Sequence, residues 1–190
     1  MALVISVHPT EEPIELSEAK THLRVEIDDD DGLIQGMIKA ARENCEAVTH
    51  RALITQTWKY YLDEWPNKDY IELPLPPLQS VSSLKYTDSA LTVTTVGTSQ
   101  YTWDANKEPG RLVLAYGETW PTDTLTVTSP IEITYVTGYG TPDDIPESLK
   151  LGMKIDLADL YEQREAWIQG SFEHLPTVDR LYYPYRTFLF

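Results

Sequence analysis

The residues best equipped for chemistry are one cysteine, four histidines and a run of four aspartates, and their spacing limits what they can do. Cys45 is the single cysteine among 190 residues, and the histidines are His8, His22, His50 and His174. No two histidines fall in a His-x-x-x-His or His-Glu-x-x-His pattern, and one thiolate cannot build a zinc site of the cysteine type. His50 lies five residues beyond Cys45, about 140° round a helix of 3.6 residues per turn, so it is badly placed to act as a base for the thiol. Glu43 and Glu46 flank the cysteine and would raise a thiol pKa rather than lower it. Cys45 is therefore expected to be buried and inert.

Asp28-Asp29-Asp30-Asp31-Gly32 invites a calcium reading. An EF-hand loop needs oxygen ligands at alternate positions, glycine sixth and glutamate twelfth. With Gly32 sixth, Ile27 would be first and Ile38 twelfth; neither is a ligand. The run is better read as a solvated acidic turn at the positive end of a helix. Gly138-Tyr139-Gly140-Thr141-Pro142 is too short for a dinucleotide fingerprint. Neither a Gly-x-Ser-x-Gly elbow nor a phosphate-binding loop of the Walker type occurs. Carboxylate pairs abound because the chain is acidic, so they carry no weight for hydrolysis. The sequence points to no enzyme, no cofactor and no metal.

Thirty acidic residues against fifteen basic ones give a formal net charge of −15 and a pI near 4.5. Phosphate binding needs clustered Lys and Arg, so adhesion to nucleic acid is not expected, nor is binding to an anionic membrane. Acidity aids solubility and also allows a wall from which passing DNA is repelled. The opening Met1-Ala2-Leu3-Val4-Ile5-Ser6-Val7-His8-Pro9 lacks the basic region of a signal peptide. No apolar stretch approaches the roughly 20 residues of a membrane span. With one cysteine and no possible intrachain disulfide, synthesis in a cytoplasm is expected.

The elements that must position these residues fall into helix, strand and helix again. Residues 1–52 read as helical. Ser17 and Glu18 suit a helix start, followed by Ala19 and Leu23. Leu33, Ile34, Met37, Ile38, Ala41, Cys45 and Val48 then repeat at helical spacing, with Gln35, Lys39, Arg42, Glu43 and Glu46 on the other side. Over residues 53–140 the period changes to two. Strand-like runs are expected at 54–62, 70–73, 81–86, 91–96, 100–103, 111–114 and 131–137, separated by proline- and glycine-rich turns. Residues 141–170 return to helix, with Pro146 at its start and Leu149, Met153, Leu157, Leu160 and Tyr161 as its apolar stripe; Lys150 and Lys154 fall on the opposite side. The helix should end near Trp167 to Gly170. Residues 171–190 form an aromatic C-terminal arm. The expected fold is α+β: a helical core built from the two ends of the chain, carrying an inserted small antiparallel β-sheet or sandwich.

Several of these segments, in this order, resemble one family. Ile14-Glu15-Leu16-Ser17-Glu18-Ala19-Lys20-Thr21-His22-Leu23-Arg24-Val25 looks like the opening motif of phage head–tail connector (adaptor, head-completion) proteins of tailed double-stranded DNA phages. An acidic stretch and a helix follow, like Asp28 to Val48. Next come segments like Thr49 to Trp58 and Leu73 to Val81. Ile133 to Gly140 and Ile145 to Lys150 lead to the last long helix, and Leu181 to Arg186 ends in Pro-Tyr-Arg. His50 stands where the family would have glycine, and His accepts a positive φ better than most residues.

The resemblance implies a non-enzymatic virion protein at the head–tail junction. It implies a homo-oligomeric ring of about a dozen copies under cyclic symmetry, bound beneath the portal protein. Such a ring extends the DNA channel and offers a platform to a stopper or tail-completion protein. DNA would meet it only in non-adhesive passage. A clustered aromatic tail with an arginine suits an interface anchor, so Tyr182, Tyr183, Tyr185, Arg186, Phe188 and Phe190 are the candidate contacts to the portal or a neighbouring subunit. Asp28, Asp29, Asp30 and Asp31 are the candidate channel-facing acids. Two other functions compete: a tail terminator or baseplate structural protein, and a carbohydrate-binding module using Trp58, Trp65, Trp103 or Trp120.

Overall fold

The computed structural model describes residues 1–162 and 176–187. It is an α+β protein whose chain divides into two compact units, one of strands and one of helices.

The β unit takes residues 1–9 and 55–139. Its strands are β1 (Ala2–Val7), β2 (Gln56–Leu62), β3 (Tyr70–Glu72), β4 (Leu78–Thr87), β5 (Val93–Thr95), β6 (Tyr101–Asp104), β7 (Arg111–Leu114) and β8 (Ile131–Thr137). Five form one antiparallel sheet in the order β1-β2-β8-β4-β5, and three form a second in the order β3-β7-β6. Alternation dictates the buried face. Along β8, Ile131, Ile133, Tyr135 and Thr137 are buried while the residues between them are half-exposed. Ile131, Ile133 and Tyr135 share one core with Leu62, Leu84 and Tyr86 of the same sheet and with Ile71, Tyr101 and Leu112 of the other, so the two sheets close on each other. The proline-rich turn before β4 is pinned from β8: the Tyr135 hydroxyl donates to the Pro74 carbonyl at 2.9 Å, and the Thr137 hydroxyl lies against the Leu75 and Pro77 carbonyls. Gly110 lies so close to Leu78 that a Cβ there would fall 2.4 Å from the Leu78 Cβ.

All seven expected strands are present within a few residues of their expected limits. An eighth, β1, occupies residues the sequence reading assigns to the helical part. Its apolar run is too short to identify by period, and a partner 50 residues away decides its form: Leu3 pairs with Tyr60 and Ile5 with Trp58.

The helical unit takes residues 10–54 and, among those described, 140–162 and 176–187. It holds α1 (Leu16–Leu23), α2 (Asp31–Thr49), α3 (Glu147–Glu162) and α4 (Pro176–Tyr182), with short 3-10 turns at Pro142–Asp144 and Tyr183–Tyr185. The apolar stripes face one another: Ile34, Ile38, Ala41 and Cys45 of α2, and Leu149, Met153 and Leu157 of α3, are all buried. Ile54 and Gly140 form a parallel bridge, which joins the two points where the chain leaves this unit and returns.

Local details differ from the sequence reading. Ser17 lies inside α1, with Glu15 at the cap position and the Ser17 hydroxyl donating to the Glu15 carboxylate at 3.3 Å. Arg42 and Lys150, expected on the outer faces, are buried. Arg42 donates to Glu12 at 2.7 Å and to Glu46 at 2.8 Å, and Lys150 pairs with Glu147 at 2.8 Å; those carboxylates make burial tolerable. Leu33 and Leu160, expected in the core, are exposed. The expected helix end at Trp167 to Gly170 lies outside the described residues. α2 stops at His50, whose φ of 54° is the left-handed conformation implied by the family resemblance, which has glycine there.

Candidate interaction surface

The aromatic C-terminal segment is built onto the end of α2. The Thr49 hydroxyl donates to the Cys45 carbonyl at 2.6 Å, and the free Thr49 carbonyl accepts the Thr187 N–H at 2.9 Å. Arg51 Nε donates to the Tyr185 carbonyl. These bonds fix the 3-10 turn beside His50. Together His50, Ala47, Val48, Asp179, Tyr183 and Arg186 line a surface hollow of about 540 Å3. Those six residues mix apolar Ala47 and Val48 with acidic, basic and aromatic groups.

The structure separates the six predicted contact residues into three sets. Tyr182 is 1% exposed. Its hydroxyl donates to Asp156 at 2.9 Å, and the same carboxylate oxygen accepts the Asn44 amide at 2.9 Å. Burial raises the Tyr182 phenol well above its ordinary pKa. Tyr182 is thus a core residue of its own unit. Tyr183 is 69% exposed, Arg186 is exposed and Tyr185 half-buried, and these three present their surfaces outward. Phe188 and Phe190 lie outside the described residues. Removing Leu181 to Phe190 would therefore withdraw Tyr182 from the core, so that truncation disturbs the fold as well as the surface.

The acidic run is not four free charges. Lys20 donates to Asp28 at 2.6 Å and to Asp31 at 2.7 Å, while the Tyr161 hydroxyl donates to Asp30 at 2.7 Å. The hydrogen bond from Lys20 lowers the pKa of Asp28, and those to Asp28 and Asp31 raise that of Lys20. The run thereby ties α1, α2 and α3 together, and Asp29 is exposed on it.

Cys45 is fully buried, and desolvation pushes its thiol up to about 12; as a thiol it is neither a nucleophile nor a metal ligand at neutral pH. Among the described residues, no group of three His, Cys, Asp or Glu is placed to hold a metal ion, and no helix is long and apolar enough to cross a membrane. The four candidate tryptophans differ in their surroundings. Trp65 stacks on Trp120 at 5.0 Å with planes 8° apart, Trp65 meets Tyr86 edge-on, and Trp58 packs against the core. These three are half-buried, and among the described tryptophans Trp103 is the exposed one. The sequence carried no signal for the Asp156–Tyr182–Asn44 cluster, because its members lie far apart in the chain.

Residues 13–92 match the family model of the phage gp6-like head–tail connector protein. That span contains the opening motif at Ile14–Val25, the acidic stretch and α2, and the segments Thr49–Trp58 and Leu73–Val81, so the resemblance carried by those residues is borne out. Three solved structures share the fold. They are the neck of an empty GTA particle computed with C6 symmetry (TM-score 0.83, 23% identity), the virion of a native gene transfer agent (GTA) particle (0.82, 22%), and the neck of a native GTA particle computed with C12 symmetry (0.79, 23%). Each alignment covers 100% of this chain and 97% of the other. No curated protein matches the sequence.

Proposed function

We infer, from the family match as premise, that this chain is a structural subunit of a virion neck: a head–tail connector. The match over residues 13–92 is the observation that carries the reading. The full-length likeness in fold to chains of GTA particle structures, necks among them, supports it. The C6 and C12 symmetries of those necks support a cyclic ring of about a dozen copies for this chain as well.

On this reading the ring sits beneath the portal protein and receives the stopper or tail-completion protein on its other side. Its role is architectural, and the reading asks for no cofactor, metal or catalysis. Tyr183, Tyr185 and Arg186, continued by Phe188 and Phe190, are the proposed contacts to the portal or a neighbouring subunit. Tyr182 holds that surface from within. A net charge of −15 suits the lining of a passage for DNA. Asp28, Asp29, Asp30 and Asp31 are the proposed channel-facing acids, with Asp29 the residue that tests this separately from the ion pairs.

Electron microscopy of particles from a phage with this gene disrupted tests the reading. The expected result is packed or leaking heads beside separate, complete tails. Normal joined virions would overturn an essential connector role. Intact heads with malformed or overlong tails would move the protein into the tail.

A further inference from the structure

The five-stranded sheet has two open edges, the three-residue β5 and β1, whose register shifts between Ile5 and Val7. Among the described residues nothing pairs with the outer side of β1 or of β5. Natural edge strands are usually guarded by charge, proline or a covering element. Here β1 reads Ala-Leu-Val-Ile-Ser-Val and β5 with its approach reads Leu91-Thr92-Val93-Thr94-Thr95, without a charge or a proline. Val4 is 50% exposed on one edge and Val93 63% on the other. Leu91, at the tip of the β4–β5 hairpin, is exposed and held at a φ of 64°, a conformation leucine adopts at a cost. Asp88 fixes that tip by accepting the Ala90 and Thr92 N–H groups at 2.8 and 2.9 Å.

Strand direction decides how these edges can be used. Every neighbouring pair in the sheet is antiparallel, and the number of strands is odd. The two edge strands therefore run the same way. A two-fold contact would pair β1 with β1 and leave β5 open. A rotation of the kind that builds a ring brings different patches together, and it sets β5 of one copy alongside β1 of the next in parallel. That arrangement also places Leu91, at the start of β5, beside the start of β1. There Met1, Ala2 and Leu3 border an apolar groove of about 790 Å3 whose walls include Leu62, Tyr70 and Ile71.

We propose that the occupant of the β1 edge is a second copy of this chain: β5 adds to β1 of the adjacent subunit as a parallel strand, and Leu91 seats in the groove beside Leu3. The junction continues the sheet from subunit to subunit. It rests on the ring reading above and names a surface of contact that reading leaves open.

The test uses Val4→Cys and Val93→Cys, singly and together, in phage particles. Native Cys45 is buried, so a short bis-maleimide reacts at the introduced thiols, and its span tolerates a register shift of one residue, about 3.3 Å. The expected result is a ladder of covalent multimers from the double variant and none from either single variant. Dimers from Val4→Cys alone would mean two-fold β1 pairing and overturn the proposal. A double variant that is present in necks yet stays monomeric would overturn it too, while leaving the connector reading intact. Absence of the protein from necks would sink both. Leu91→Lys is the second variant. Its side chain is exposed, so thermal stability should be unchanged, while loss of one seated leucine should weaken each junction about tenfold or more; normal ring assembly would remove Leu91 from the contact.

Discussion

A Cβ built on Gly152 would lie 2.4 Å from Cε1 of Tyr182, so α3 meets α4 with bare backbone against an aromatic ring. Alanine in a helix interior gains up to about 1 kcal/mol over glycine. Overpacking a filled site costs about 1–3 kcal/mol. The Tyr182 ring is buried and its hydroxyl is tied to Asp156, so it cannot swing aside and the second effect wins. Gly152→Ala is expected to lower the thermal midpoint by a few degrees. Unfolding monitored by circular dichroism checks this, and unchanged stability would mean that the two helices separate freely.

Arg42 should matter more than its place on a helix suggests. Its side chain is 7% exposed and lies between Glu12 and Glu46. Glu46 also accepts the Leu53 N–H at 2.9 Å, so the cluster fastens the chain after α2. Arg42→Met leaves two half-buried carboxylates without their cation, a change that costs about 1–3 kcal/mol. Chemical denaturation should show a lower midpoint, with the cost partly restored by adding Glu46→Gln.

The ion-paired aspartates and the exposed one should separate in experiment. Asp28→Asn and Asp31→Asn loosen the hold of Lys20 and should reduce stability, less so at high salt, where surface pairs are screened. Asp29→Lys should leave stability unchanged. If the acids line a DNA channel, Asp29→Lys slows DNA ejection; ejection at the parental rate would remove this turn from the channel wall.

Acid should destabilise the protein through identifiable groups. A hydrogen bond from Arg111 lowers the pKa of Asp104, one from the Thr141 hydroxyl lowers that of Asp144, and one from Lys150 lowers that of Glu147. For a carboxylate with a depressed folded pKa, the stabilisation is complete above the unfolded value, near 4, and is lost as pH falls through the folded value. Stability should therefore fall below about pH 4. Combining Asp104→Asn with Asp144→Asn should flatten this limb, as read from denaturation midpoints at a series of pH values. An equally steep limb would assign the acid sensitivity to other groups.

Tyr183 and Tyr182 should give opposite phenotypes although they are adjacent. Tyr183→Ala removes an exposed ring and should leave the fold intact while weakening portal binding. Tyr182→Ala opens a cavity in the helical unit and should cost about 3–5 kcal/mol. Pull-down by portal alongside thermal melts distinguishes them. A Tyr183→Ala protein that binds portal at the parental level would place the contact elsewhere.

By itself the sequence determined the α+β class, the seven strands of the inserted segment and the stripes of α2 and α3, because those features are local: period, turn residues and propensity act over a few neighbours. It also determined the inertness of Cys45, which follows from its place on an apolar stripe. The tertiary structure alone decided which apolar run becomes the edge strand β1, because its partner Trp58 lies over 50 residues away. It decided that Arg42 and Lys150 go inward: Glu46 and Glu147 lie one helical turn away in any helix, but Glu12 reaches Arg42 only once the chain is folded. It also split the aromatic tail, turning Tyr182 into the core against Gly152 and leaving Tyr183 on the surface. Composition marked that segment as one cluster; only the approach of α3 assigned each ring its side.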